Sequence, residues 1–297
     1  MRVFHCSVPR AKERSTFLVV GDKIVTMFEI NKNSRRLSKL EKKQYIEEGY
    51  IKGLPVFAKN EVNNLQVLFE TLSSRLPENV DINKTNMWNK ASKSFYELCH
   101  TPAILNYVED ILGENFYLWG GMFFFKKPKS KSIVPWHQDA QYWPLSPSKS
   151  VTVWLAVFDT DRENAAMKIV SGSHKEKIYT HKLNKDKNYL LDQEVTEDQI
   201  DKSKIVYMNL KAGEISLHTD ALLHGSDANN SNRPRCGIVL RFSPTDVRAD
   251  LSIWPFFSIQ LSRGVDNFNF NPIAPKPRGE ATPVRPMQFH TDFEKQW

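Results

Sequence analysis

Residues 115–127, NFYLWGGMFFFKK, decide the fold, because an aromatic run here replaces the helical spacing of hydrophobic residues that precedes it. Similar runs follow at residues 150–160 (SVTVWLAVFDT), 204–218 (KIVYMNLKAGEISLH) and 236–244 (CGIVLRFSP). Aromatic and β-branched runs bounded by Gly, Pro, Asn and Ser are typical of strands. The Lys-Ala-Gly sequence at residues 211–213 is typical of a hairpin turn inside the third run. The sequence therefore predicts a β core over about residues 115–245.

The first third of the chain is predicted to be helical. Ser38 and Glu41 form a capping-box pattern, which predicts a short helix that ends near Gly49. Hydrophobic residues at i, i+3, i+4 and i+7 predict a second helix over roughly residues 60–74, and a third pattern ends at Leu112. Helices followed by strands predict a mainly β, α+β chain in which helices pack on one side of an all-β core. A double-sheet jelly roll closes such a core without leaving long strand edges exposed.

The composition is that of a globular protein with a sizeable hydrophobic core: 297 residues, of which 40% are hydrophobic and 25% charged. No run approaches the ~18–20 apolar residues that a membrane helix requires. The three cysteines are scattered, which indicates no disulfide framework and favours a reducing, cytoplasmic location. We expect a tail over residues 1–37 and one domain over residues 38–297, with a C-terminal extension after the β core.

The chain is basic, with 41 Lys and Arg against 34 Asp and Glu and a formal net charge of +7. Basic residues alternate with acidic ones, as in KLEKKQYIEE (residues 39–48), and form no long block of one sign. This pattern favours a solvated surface over a nucleic-acid-binding one. We therefore predict neither a nucleic acid nor a membrane as partner, and the sequence leaves the oligomeric state open. A positive field that favours a small anionic substrate is the alternative.

His137 and Asp139 lie two residues apart in the stretch VPWHQDAQYW, residues 134–143. On a strand their side chains would point to the same face and could bind one ion. An ordinary histidine–carboxylate pair is the alternative. His224 follows an apolar Leu-Leu pair and is the candidate third ligand, with His218 as its rival. Two histidines and one carboxylate form the facial triad of non-heme Fe(II) oxygenases, although zinc also accepts such ligands.

Arg235 lies eleven positions after His224, at the start of the next predicted strand. A guanidinium is a planar fork that suits a carboxylate. If iron binds the keto-acid end of 2-oxoglutarate, a cation must hold the far carboxylate, and Arg235 is the candidate. Arg233 and Arg241 are rivals, and by strand alternation Arg241 faces the same side as Arg235.

Four segments, in this order and at these separations, resemble the phytanoyl-CoA dioxygenase-like family of Fe(II)/2-oxoglutarate oxygenases. They are WHQDAQYWPL (136–145), VTVWLAVFD (151–159), SGSHKE (171–176) and LLHGSDANNSNRPR (222–235). The similarity covers most of residues 38–270, and the segment HQDAQYWPL (137–145) resembles the bacterial small-molecule hydroxylases of the family. It implies a double-stranded β-helix, which is a cupin-like jelly roll.

The resemblance also implies the residues of the site. His137, Asp139 and His224 would be the iron ligands, Arg235 would anchor 2-oxoglutarate, and Trp154 would border it. The implied cofactors are Fe(II), the cosubstrate 2-oxoglutarate and O2. Because related halogenases replace the carboxylate by a small residue, Asp139 favours hydroxylation of a C–H bond.

The substrate is expected to be a small metabolite, with an anionic or zwitterionic one such as 2-aminoethylphosphonate as the leading interpretation. An acyl-CoA or an amino-acid derivative is the alternative within the family. Two alternatives come from other classes of protein. One is a non-catalytic protein that binds metal or ligand on the same scaffold, and the other is an oxygenase that modifies protein or nucleic acid.

Several neighbouring residues have weaker assignments. Tyr142 and Trp143 closely follow the predicted metal pair, so we expect them to contact the substrate. Gln138 should face away from the ligands and form hydrogen bonds in the scaffold. Lys126 and Lys127 are predicted to be surface charges at a strand end, although one of them could contact 2-oxoglutarate.

The chain departs from the family pattern at two loop positions. Ser171 stands where the family often has proline, and Ala165 stands where it often has glycine. Both lie outside the predicted set of ligands, so the shape of the loops is in question rather than the chemistry. His174, after Ser-Gly-Ser, is expected to be a structural loop residue.

Overall fold

A computed structural model describes residues 35–176 and 178–283. Residues 1–34 of the predicted tail and residues 284–297 of the C-terminal extension lie outside this range. The prediction of a single domain over residues 38–297 stays a prediction. None of the described helices combines the length and the apolar character that a membrane crossing needs.

Within the described part of the chain, five α-helices precede most of the β structure: α1 Lys39–Glu48, α2 Lys59–Ser74, α3 Trp88–Ala91, α4 Lys93–Cys99 and α5 Pro102–Leu112. Short 3-10 helices span Ile82–Lys84, Asp139–Gln141, Ser173–Lys175, Glu197–Gln199 and Lys202–Lys204. The capping box at Ser38 and Glu41 is present, and Gly49 ends α1 in the left-handed conformation. The three helices predicted from periodicity are confirmed as α1, α2 and α5.

Fourteen strands are present in the described residues. They are β1 Tyr50–Pro55, β2 Phe116–Lys126, β3 Val134–His137, β4 Leu145–Ser146, β5 Val151–Ala156, β6 Lys168–Val170, β7 His181–Leu183, β8 Gln193–Val195, β9 Ile205–Tyr207, β10 Glu214–Thr219, β11 His224–Ser226, β12 Arg235–Pro244, β13 Arg248–Ala249 and β14 Gln260–Arg263. The larger sheet has the order β1-β10-β5-β12-β2-β14, and the smaller one has β3-β11-β6-β9. All of these neighbours are antiparallel, and β13-β4 and β7-β8 form two further pairs. The predicted jelly roll is confirmed.

The larger sheet separates the hydrophobic core from a cavity. Alternate residues of β12, namely Cys236, Ile238, Leu240 and Phe242, pack with the helices in the main core. The intervening Arg235, Val239 and Arg241 line a cavity between the two sheets. The period of two along a strand thus places two arginines on the inner face of an otherwise apolar strand.

Two local predictions were wrong. Residues 211–213 do form a turn, but β9 pairs with β6 in the smaller sheet whereas β10 pairs with β1 and β5 in the larger one. The turn therefore joins the two sheets instead of closing a hairpin. The strand that carries His137 ends at that residue, and Asp139 begins a 3-10 helix.

Candidate metal centre

Two histidines face each other across paired strands of the smaller sheet. His137, the last residue of β3, is the register partner of His224, the first residue of β11. Their ring centroids are 4.1 Å apart. Asp139 lies in the turn that follows β3, and Gln138 between them keeps an extended backbone, so the carboxylate returns to the same side. One ligand atom from each of the three buried residues lies within 4.8 Å of the others.

Backbone carbonyls set the tautomers of both histidines. The Nδ1 atoms of His137 and His224 lie 2.9 Å from the carbonyl oxygens of Pro135 and Leu222, respectively. A carbonyl only accepts hydrogen bonds, so Nδ1 must carry the proton and Nε2 keeps its lone pair. This second hydrogen bond is the usual way in which a protein orients a metal-binding imidazole.

The electrostatics favour the ionisation states that a cation requires. Burial, followed by the neighbouring His137, holds the pKa of His224 well below its ordinary value. Burial alone would raise the pKa of Asp139, but its contact with His137 and the positive charge of Arg241 outweigh burial and lower that pKa. A neutral imidazole and an ionised carboxylate are the forms that bind a divalent metal.

The sequence reasoning did not identify Thr152, although its position on the same strand as Trp154 could have indicated that it faces the site. Its hydroxyl donates a hydrogen bond of 3.1 Å to Oδ2 of Asp139 and thereby fixes the carboxylate. Thr152 lies two residues before Trp154 on β5, so strand alternation gives both side chains the same facing.

His218, the rival ligand, lies beside the three-residue group without joining it. Its Nε2 atom is 4.0 Å from Oδ2 of Asp139, and its ring centroid is 4.8 Å from that of His224. The side chain is 1% exposed, and neither ring nitrogen has a hydrogen-bond partner among the described residues. Burial lowers the pKa of His218 to about 4, so the imidazole is neutral.

The candidate ligands face a cavity between the two sheets. The lining consists of Phe124, Val134, His137, Asp139, Thr152, Trp154, Met167, His218, His224, Gly225, Ser226, Arg235, Val239 and Arg241. Arg235 is 2% exposed, and its guanidinium lies 4.6 Å from the ring centroid of Trp154. Its Nε and Nη1 atoms have no hydrogen-bond partner in the described part of the chain. A buried guanidinium with free donors on a cavity wall is suited to an anion.

A family model for phytanoyl-CoA dioxygenase (PhyH) matches residues 47–237, more than half of the chain. The chain belongs to this family. A probable alpha-ketoglutarate-dependent hypophosphite dioxygenase of Stutzerimonas stutzeri is 27% identical over 160 residues, which are 53% of this chain and 54% of the relative. The peroxisomal phytanoyl-CoA dioxygenase of Mus musculus is 29% identical over 163 residues, 52% of this chain and 47% of the relative. The chain spans about half the length of the curated relatives that it matches.

Solved structures share the phytanoyl-CoA dioxygenase family's fold with this chain. The apo non-heme monooxygenase ThoJ superposes with a TM-score of 0.67 at 23% identity, over 80% of this chain and 88% of ThoJ. CytC3 with Fe(II) and alpha-ketoglutarate superposes with a TM-score of 0.61 at 21% identity, over 86% of this chain and 98% of CytC3. At these identities the likeness establishes the jelly roll only.

The three candidate arginines occupy different environments in this phytanoyl-CoA dioxygenase family member. Arg233 is exposed and ion-paired with Asp161 and Glu163, so it lies outside the cavity. Arg235 and Arg241 both line the cavity. Alternation along β12 predicted their common facing, and the structure confirms it.

The two predicted substrate contacts lie next to the cavity lining. Trp143 packs edge-on against Trp119, with ring centroids 4.7 Å apart, in a separate aromatic cluster. The Tyr142 hydroxyl donates a hydrogen bond to the carbonyl of Gln193, and its ring centroid is 5.9 Å from that of His137. Neither residue belongs to the lining, and their contact with a substrate stays a prediction.

The assignment of Lys126 to the surface was wrong. Lys126 is 1% exposed, and its Nζ atom donates hydrogen bonds to the carbonyl and hydroxyl of Ser226 and the carbonyl of Asp227. These acceptors allow an amine to be buried at the end of a strand. Lys127 is exposed, as predicted.

The scaffold role of Gln138 and the loop role of His174 are confirmed. Gln138 Nε2 donates to the carbonyl of Ala221, and its Oε1 accepts from the backbone N–H of Tyr179. His174 lies in a 3-10 helix, with its Nε2 atom 3.1 Å from the carbonyl oxygen of Ile46. Ala165, where the family often has glycine, has a φ of +68°. The departure at this position therefore places an alanine in the left-handed region.

Proposed function

We propose that this protein is an Fe(II)- and 2-oxoglutarate-dependent dioxygenase that hydroxylates a C–H bond of a small molecule. The observation that carries the proposal is the convergence of His137, Asp139 and His224 to within 4.8 Å on one wall of a cavity. Two imidazoles and one carboxylate on one side of an ion form the facial triad of non-heme iron oxygenases. Membership of the phytanoyl-CoA dioxygenase family supports the same reaction class.

The residues present fit an Fe(II) ion. His137 and His224 would bind through Nε2, since their Nδ1 atoms are held by backbone carbonyls. Asp139 would bind through one carboxylate oxygen while Thr152 holds the other. The same three ligands could bind zinc. The buried arginine on the same cavity wall favours iron, because a 2-oxoglutarate-dependent reaction also needs a partner for the far carboxylate.

The residues also fit 2-oxoglutarate. Arg235 would take the far carboxylate with the donors that lack partners, and Trp154 beneath the guanidinium would hold its plane. When bound, iron, 2-oxoglutarate and O2 supply the oxidising chemistry, and succinate and CO2 are the coproducts. The chain binds and orients these groups, and its apolar walls Val134, Met167 and Val239 exclude water.

A small anionic or zwitterionic substrate, such as 2-aminoethylphosphonate, is the narrower proposal. Its support is the pair of buried arginines on the cavity wall and the similarity to a probable hypophosphite dioxygenase. An acyl-CoA, which is much larger, is the alternative within the family. Amino-acid derivatives are the alternative of similar size. A cytoplasmic location is part of the same proposal.

Anaerobic titration of the metal-free protein with Fe(II) and 2-oxoglutarate tests the proposed function. The wild type should develop the visible charge-transfer band of the iron–keto-acid chelate. His224→Ala should abolish the band, and Arg235→Gln should raise the 2-oxoglutarate concentration needed for it. Arg233→Gln is the matched control, because Arg233 is exposed and outside the cavity, and it should behave as wild type. A folded wild type without the band would refute the proposal and favour a binding protein without turnover.

A further inference from the structure

Arg241 is a second buried arginine that the proposed binding of iron and 2-oxoglutarate does not use. It is 6% exposed and lines the same cavity as Arg235. Its Nε atom has no hydrogen-bond partner in the described residues, and Nη2 donates only to the sulfur of Met122, at 3.3 Å. A thioether is a weak acceptor. The guanidinium therefore keeps unused donors inside a desolvated site.

The surroundings hold Arg241 in one orientation. Its guanidinium lies 5.6 Å from the ring centroid of Trp119 and 5.2 Å from that of Trp143. On the adjacent strand, Gly120 lies beneath the side chain, where even a Cβ would be at an ordinary contact distance of 3.6 Å from Cδ and Nη1 of Arg241. Aromatic contacts of this kind limit the freedom of a guanidinium, so little entropy is lost when it binds a planar anion.

Arg241 and Arg235 approach the cavity from opposite ends of β12. Six residues of a strand separate their Cα atoms by roughly 20 Å. Arg241 is the register partner of Thr152, whose hydroxyl binds Asp139. A keto acid that chelates the metal and reaches Arg235 with its far carboxylate extends away from the end of β12 that carries Arg241. The space between Asp139 and Arg241 is then left for the substrate.

The lining of the cavity carries more positive than negative side chains. Two arginines, Arg235 and Arg241, share it with one carboxylate, that of Asp139. In the described residues, the Asp139 oxygens lie 3.7 Å from Nε2 of His137 and 4.0 Å from Nε2 of His218, and Asp139 forms no ion pair with Arg241. The charges of Fe(II) and of doubly ionised 2-oxoglutarate cancel each other, and the single carboxylate of Asp139 offsets one of the two arginines. One buried positive charge remains, which is costly without an anionic partner.

We propose that Arg241 binds an oxyanion group of the substrate, so that the substrate is a small carboxylate, phosphonate or sulfonate. This inference rests on the proposed function, because it places the substrate on the side of the metal opposite the cosubstrate. Arg241 holds the anionic end with its fork of donors and leaves the C–H bond to be oxidised next to Asp139 and the metal. Trp143 packs against the guanidinium of Arg241 and acts through it as a positioning residue.

The test uses the anaerobic holoprotein with Fe(II) and 2-oxoglutarate and four probes: acetate, methylphosphonate, methanesulfonate and neutral acetamide. At least one oxyanion should raise the thermal unfolding temperature and perturb the charge-transfer band, whereas acetamide should do neither. Arg241→Gln should weaken that oxyanion roughly 10- to 100-fold, the value of a lost charge-assisted hydrogen bond, and change 2-oxoglutarate affinity less than about threefold. Arg241→Lys should recover part of the binding, because it keeps the charge without the fork.

Arg233→Gln serves as the matched control and should retain wild-type binding of every probe. Equal binding of the oxyanions to wild type and Arg241→Gln would identify an adventitious ion only and overturn the inference. Loss of 2-oxoglutarate binding in Arg241→Gln as large as in Arg235→Gln would also overturn it, because Arg241 would then hold the cosubstrate. If Arg241→Gln does not fold, the comparison of acetate with acetamide on wild type and Arg241→Lys decides. A wild type with the chelate band but without an oxyanion effect contradicts this inference alone, whereas a missing band contradicts the proposed function itself.

Discussion

Replacing Gly237 with alanine tests whether Trp154 is a fixed wall of the cavity. Gly237 lies within β12, where the backbone is extended and does not itself require glycine. A Cβ at this position would lie 2.1 Å from Cε2 and Cζ2 of Trp154, although real Cβ contacts essentially never fall under 3.0 Å. The substitution therefore forces the indole ring, or the strand, to move.

Two opposing effects set how much Gly237→Ala changes the free energy of unfolding. Alanine lowers the entropy of the unfolded chain and fits a strand interior better than glycine, which stabilises the fold by roughly 0.5–1 kcal/mol. Overpacking of a buried site costs about 1–3 kcal/mol. The steric term is larger, so we expect Gly237→Ala to lower the free energy of unfolding by about 1–2 kcal/mol. Because Arg235 stacks on Trp154, a displaced ring should also weaken 2-oxoglutarate binding by about tenfold.

Urea unfolding followed by tryptophan fluorescence gives the free energy of unfolding, and anaerobic titration gives the affinity for 2-oxoglutarate. Gly120→Ala on the neighbouring strand β2 is the matched control, because its closest Cβ contacts, at 3.6 Å, are ordinary. The control should raise the free energy of unfolding by roughly 0.5–1 kcal/mol, because the entropy gain is there without a clash to oppose it. Wild-type stability and affinity in Gly237→Ala would refute the reasoning and show that Trp154 moves freely.

Three further predictions concern loops and pH. Ala165→Gly should raise the free energy of unfolding by about 1 kcal/mol, because it relieves a left-handed backbone at an alanine, and urea unfolding measures this. Asn229→Ala should lower that free energy by about 1–3 kcal/mol, because the buried side-chain amide donates hydrogen bonds to the carbonyls of Lys127, after β2, and Arg233, before β12. Burial lowers the pKa of His181 to about 4, whereas its ordinary value is 6.5, so the unfolded chain binds the proton more readily. Stability from this residue should therefore be complete above about pH 6.5 and decrease as the pH falls toward 4, as shown by denaturant unfolding across that range.

Each of these three predictions has a control substitution in the same segment of the chain. Ala166→Gly, at a residue without a positive φ, should destabilise the protein where Ala165→Gly stabilises it. Asn230→Ala should be nearly neutral, since Asn230 is exposed. His181→Gln should reduce the slope of stability against pH between 6.5 and 4 by up to one proton, while His218 and His224, whose pKa values are also lowered, keep their share. An unchanged slope in that variant would assign the effect to other groups.

Most of the fold could be predicted from local patterns. The bounds of α1, α2 and α5 follow from capping residues and from the spacing of hydrophobic residues, which act within a few residues. The strand runs were also recognisable, but their pairing was not, since pairing depends on residues far apart in the chain. The turn at residues 211–213 shows the limit, because the same local sequence can close a hairpin or connect two sheets.

The amino-acid sequence by itself determined the jelly roll, the three candidate metal ligands and the common facing of Arg235 and Arg241. The common facing of the two arginines follows from the period of two along a strand. The jelly roll and the candidate ligands follow from the ordered motifs of the sequence. Only the tertiary structure decided that Arg233 is ion-paired outside the cavity and that Lys126 is buried against Ser226. It also decided that Arg241 keeps a donor without a partner inside the cavity. The physical reason is that burial and hydrogen-bond satisfaction depend on the atoms that distant segments bring to a side chain.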